Sequence, residues 1–181
     1  DESLKKWLVR FSSREMAATL RVYHVILGVV LGVPVSLAAA HYMLHGVVNA
    51  LQVFLAFFVG LNTLICYWEL ALAYRIDLIE RDAAKLRAQY GQNGPTSRFK
   101  AVGEMFTAEV PLRRLGSFSL WSRIWSTYAL YDPSYADRTS YGFFIDAGNG
   151  HSTMLPSLMW LAGMTIRIMP ARAFGYVPPR K

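Results

Sequence analysis

The sequence predicts an all-α membrane protein: an antiparallel transmembrane helix hairpin, a third and partly polar span, an amphipathic N-terminal helix and an aromatic interfacial segment. Three observations carry that reading. Of 181 residues, 54% are hydrophobic and only 17% are charged, against about 25% charged in ordinary soluble domains. The apolar residues fall in long runs instead of recurring with the period of one core-facing stripe. The basic residues, 19 against 12 acidic, flank those runs. A positive-inside bias places them there, and a nucleic-acid surface does not need that arrangement. No nucleic-acid partner is therefore expected.

Residues 1–21 begin DESLKKWLVRF, with Leu4, Trp7, Leu8 and Phe11 at helical spacing among Lys5, Lys6, Arg10 and Arg14. This pattern fits an amphipathic helix on a membrane surface, and it fits equally a helix packed on a neighbouring subunit. The hairpin occupies 22–74. Its first run, VYHVILGVVLGVPVSLAAAHYML, reaches from Val22 to about Leu44, enough to cross a ~30 Å hydrocarbon core, which takes ~20 residues. Pro34 removes one helix hydrogen bond and should bend the helix. Gly28, Gly32, Ser36 and Ala40 recur once per turn. Such a strip of small side chains lets another helix approach closely. After the turn HGVVN, the second run extends from about Val47 to Tyr74; it exceeds the bilayer's need, so tilt or protrusion is expected. Cations precede the first run and follow the second, which places both outer ends on one side.

From Arg75 the helix is expected to continue into water as RIDLIERDAAKLRAQ, until GQNGP stops it. The rest of 75–116 reads as a basic connector. The aromatic segment 117–146 contains WSTYALYDPSY and carries charges that bar it from being a span. It reads as a surface-lying belt. A third membrane segment is expected at 147–168, strongly apolar only from Met154 onward, and 169–181 form a basic tail. A full third crossing would put Arg167, Arg172, Arg180 and Lys181 opposite the other cations. The segment is therefore either partly re-entrant or held by partners that override the charge rule.

Glu69, inside ICYWELALAY, is the most informative residue. An ionisable group in a membrane faces a partner, a cavity or a proton path, or else snorkels to the interface. Asn62 precedes it by two turns on the same face. Asp146 and His151 bracket AGNG; the pair could shuttle protons, or Asp146 could cap the following helix. His41 and His45 have metal- or haem-ligand spacing, but no third ligand stands near them in sequence, so they read as interfacial. The single cysteine, Cys66, reads as a packing residue and excludes a disulfide framework. Soluble nucleotide motifs are absent from the sequence, and no cofactor is expected.

Trp125, Tyr128, Ala129, Asp132 and Tyr135 resemble the W-x-x-Y-A-x-x-D-x-x-Y pattern of the EXPERA family, the emopamil-binding sterol isomerases and their relatives. The likeness covers about residues 60–165. It implies an acid pair, Glu69 and Asp146, that protonates a sterol double bond and stabilises the resulting carbocation, with Trp125, Tyr128, Asn62 and Trp68 around the ligand. The family's His one turn before the first acid is Ile65 here, and the second acid is Asp where Glu is usual. The last two helices of the family's four-helix bundle are expected to be missing.

Two functions follow as expectations. One is a non-catalytic accessory subunit of a multi-subunit membrane complex, in an energy-transducing membrane such as the mitochondrial or a bacterial inner membrane. Its partners would be other membrane subunits and lipids. The other is an EXPERA-like isomerase or lipid-binding protein using Glu69 and Asp146.

Overall fold

Two apolar runs set the frame. The computed structural model describes residues 19–48, 50–91 and 94–166. Over these the chain forms six α-helices and one small two-stranded ladder. The helices are α1 (Val22–His45), α2 (Ala50–Tyr74), α3 (Ile76–Tyr90), α4 (Gly94–Thr107), α5 (Phe118–Tyr128) and α6 (Tyr141–Ile166). Both α1 and α2 are long and apolar enough to span a membrane. Gly46 ends α1 in the left-handed conformation, φ 71°, and its N–H donates to the Tyr42 carbonyl at 2.7 Å. Glycine has no Cβ to oppose that backbone, so it favours this stop. Pro34 lies inside α1 without ending it.

The helix expected to run on from α2 into water breaks instead. Arg75 leaves the helical region (φ −131°, ψ 25°), and α3 starts afresh at Ile76. The break re-aims α3 so that Ile76 and Ile79 bury against Leu72 and Trp125. The basic connector is also more ordered than its composition suggests, because α4 occupies most of it. Tyr90 donates a 2.5 Å hydrogen bond to Glu104 and so ties α3 to α4. Beyond α4, strand β2 (Glu109–Pro111) pairs antiparallel with β1 (Thr19–Arg21), Arg21 facing Glu109. The Val22 N–H donates to the Ala108 carbonyl at 3.1 Å, which fixes where α1 begins. The end of the expected N-terminal helix is thus strand; residues 1–18 and the basic tail lie outside the described residues.

Part of the aromatic segment turns inward. Trp121 and Trp125 are 3% and 9% exposed, because the apolar face of α5 covers the last turns of α2 and the start of α3. Tyr128 and Tyr131 remain exposed. α6 begins before the expected Ala147: Ser140 Oγ accepts from the Phe143 N–H at 3.1 Å and caps the helix. From there α6 packs along α2 and against α1. Three long helices lie side by side, and α3, α4 and α5 gather where α1 begins and α2 ends.

Candidate functional site: a polar seam between two helices

The site forms where α2 and α6 run antiparallel. On α2, Asn62, Cys66 and Glu69 are spaced to share one helical face. On α6, Asn149, Thr153 and Ser157 do the same. The two sets meet rung by rung. Asn62 Nδ2 donates to Ser157 Oγ at 3.1 Å. Cys66 Sγ lies 2.8 Å from Thr153 Oγ1. The Thr153 hydroxyl also donates to the Asn149 carbonyl at 2.7 Å. Asn149 Nδ2 donates to both carboxylate oxygens of Glu69, at 2.8 and 2.7 Å. Glu69 is only 4% exposed.

Gly150 brings the backbones together. A Cβ there would lie 2.8 Å from Glu69 Cβ, 3.0 Å from the Leu70 nitrogen and 3.1 Å from the Cys66 carbonyl oxygen. This close approach sets Asn149 against Glu69.

Asp146 sits half-buried inside α6, where it faces the Tyr135 hydroxyl and lies within electrostatic reach of Glu69. It is not the helix cap; Ser140 is. Nor does Asp146 join His151 in a relay. The two lie about 140° apart around the helix axis at 3.6 residues per turn, and His151 bonds instead to the Ala147 carbonyl and the Tyr74 hydroxyl.

The aromatic residues collect beside the acids. Trp125 Nε1 donates to the Trp68 carbonyl at 2.6 Å. Its ring stacks on Tyr135 at 5.2 Å between centroids, and Tyr128 meets Tyr135 edge-on at 4.8 Å. The Trp68 ring lies 6.0 Å from Trp121. Asp132 accepts from the Ser134 N–H at 3.0 Å and so caps the turn Pro133–Ala136 that presents Tyr135. Burial, followed by the Asp146 charge, pushes the Tyr135 hydroxyl above its ordinary range. That phenol keeps its proton.

The remaining candidates lie elsewhere. The His41 and His45 rings lie 4.6 Å apart between centroids, tilted by 58°. Among the described residues no three His, Cys, Asp or Glu side chains are grouped as a metal site would need. His41 borders a cavity of 20 Å³ with Gln52, Val53 and Met164, room for about one water. Gly28 and Gly32 of the strip Gly28, Gly32, Ser36 and Ala40 take no part in the close approach of α1 to α2. A Cβ at Gly28 or Gly32 would meet nothing within 4 Å, whereas one at Gly60 would lie 3.1 Å from Val33 Cγ1.

No family model, curated protein or solved structure matches the chain. Asn149, Thr153 and Ser157 are the site residues that sequence reasoning missed. Their signal was a four-residue spacing matching that of Asn62 and Cys66, visible only when the two helices are laid antiparallel.

Proposed function

We propose that this chain is a non-catalytic accessory subunit of a multi-subunit membrane complex, with α1, α2 and α6 all crossing the bilayer. The observation that carries the reading is the closure of the seam: Asn149 Nδ2 bonds both oxygens of Glu69, and Gly150 brings the two backbones into close contact there. Glu69 then serves as a polar lock between helices. α6 is poorer in apolar residues than α1 or α2, but its polar side chains pair with α2. Ile145, Leu155, Leu158 and Met159 point outward. Hydrocarbon therefore meets apolar side chains, and the polar groups satisfy one another internally.

Partner subunits would dock on the outer face of α1. Exposed Leu27, Leu31 and Val35 flank the small-residue strip there. An energy-transducing membrane remains the favoured location. Gly28→Leu and Gly32→Leu should release the chain from its complex without unfolding it. Variants that stay bound at wild-type stoichiometry would remove the strip as the contact.

One observation favours a second reading, an EXPERA-like sterol isomerase or lipid-binding protein. Residues of the family pattern, Trp125, Tyr128 and Tyr135, assemble next to Glu69 and Asp146. On this reading α6 must part from α2 to admit substrate, and Glu69→Gln abolishes sterol double-bond isomerisation at unchanged protein abundance. Isomerisation that survives the substitution would end it.

A further inference from the structure

The turn Leu112–Arg114 presents two adjacent arginines, and its anchoring fixes their depth. Gly116 accepts a 2.8 Å hydrogen bond from the Tyr67 hydroxyl. The Leu115 carbonyl accepts from Trp121 Nε1 at 2.7 Å. The Phe118 ring packs 5.1 Å from Tyr67 and 5.5 Å from Tyr74. Tyr67 lies two turns before the end of α2, about 10 Å along the axis at 1.5 Å per residue. Residues 112–118 therefore lie along the last turns of α2, beside the point where β1 hands over to α1. If α2 crosses a bilayer, this is the headgroup zone, roughly 5–8 Å deep on each side of the hydrocarbon.

Four other cations are paired, Arg81 and Lys85 with Asp82, Lys100 with Glu104 and Arg138 with Asp77, whereas Arg75, Arg87, Arg98 and Arg123 form no ion pair among the described residues. Arg113 and Arg114 are exposed and make no ion pair among the described residues. Leu112 beside them is 44% exposed. Two unpaired guanidiniums next to an exposed apolar side chain, on a turn anchored to α2 at a headgroup level, match a lipid phosphate above its acyl chain.

We propose that Arg113 and Arg114 bind the phosphate of anionic phospholipids, with Leu112 against the acyl chain. The site rests on the membrane reading above. It orients the chain on the bilayer and favours anionic over zwitterionic lipid.

The test is native mass spectrometry of the detergent-purified full chain, titrated with phosphatidylglycerol or with phosphatidylcholine. Wild type should retain phosphatidylglycerol preferentially. Arg113→Gln with Arg114→Gln should weaken that retention by about 20–30-fold, taking roughly 1 kcal/mol per charge near the surface. Arg81→Gln with Lys85→Gln, on the outer head, should leave it unchanged. The charge-preserving pair Arg113→Lys and Arg114→Lys should keep the preference, which separates lost charge from misfolding. An unaltered preference in the Gln pair overturns the proposal. Full displacement of the lipid by inorganic phosphate also overturns it, because the site would then be one for free anions. Alkaline carbonate extraction of native membranes tests the membrane reading separately: a chain that washes off refutes that reading, whatever the lipid titration gives.

Discussion

The seam between α2 and α6 and the outer face of α1 are opposites. At the seam, polar side chains pair across the closest helix approach, and one added carbon at Gly150 would strike Glu69 and the α2 backbone. On α1, small residues stand in open space, and Gly28 and Gly32 touch nothing that a side chain would hit. A glycine is thus indispensable in one helix and silent in the other, though both helices would read alike to a motif search. What separates them is whether a facing helix exists within the same chain. The seam is where the fold closes on itself, and the strip is where this chain still has surface to offer.

The contrast can be broken by substitution, most severely at Gly150. Gly150→Leu should cost 3 kcal/mol or more, at or above the usual ~1–3 kcal/mol of overpacking, because backbone atoms of Cys66 and Leu70 cannot move aside as side chains do. Gly28→Leu should stay within about 0.5 kcal/mol of wild type. Thermal unfolding in detergent compares the two directly, and equal melting temperatures would erase the distinction.

Next in size, Asn149→Leu strands a buried carboxyl and should cost about 1–3 kcal/mol. The double variant with Glu69→Leu should recover most of the loss, because removing both partners leaves nothing unpaired. A double variant as unstable as the single one would mean that Asn149 matters for its shape alone. An effect of similar size is expected at Trp125→Phe, which deletes the hydrogen bond to the Trp68 carbonyl together with the five-membered half of the buried indole, at about 1–3 kcal/mol by the same melting assay.

The smallest effect lies in the head. The Thr139 hydroxyl and then its N–H donate to Asp137 and hold that carboxyl below its ordinary range. A depressed carboxyl stabilises the fold above its unfolded pKa, near 3.9, and the contribution fades as pH falls through the folded value. Asp137→Asn should therefore flatten the acid limb of a stability–pH curve and lower the neutral plateau slightly, leaving the acid end unmoved.

What was legible in the sequence followed from how far each signal reaches along the chain. Apolar runs are local, so α1, α2 and their turn could be drawn to within a few residues. Glu69 and Asn62 stood out because polar groups in an apolar run need a reason. Their partners were invisible for the opposite reason. Asn149, Thr153 and Ser157 belong to a segment with many small polar residues, and only the antiparallel register gives those three a role. The break at Arg75 and the inward turn of Trp121 and Trp125 depend on α3 and α5 packing together, which no single window displays. Asp132 shows a further limit. The aromatic pattern flagged it, and its visible work is to cap the turn that carries Tyr135.

The most direct test of the central claim is the native mass of the protein after gentle detergent extraction, with mass spectrometry of whatever accompanies it. A large assembly with fixed stoichiometry, lost on Gly28→Leu and kept on Glu69→Gln, is the result this account predicts. A lone chain or small homo-oligomer that retains a sterol, and loses isomerase turnover on Glu69→Gln, would contradict it.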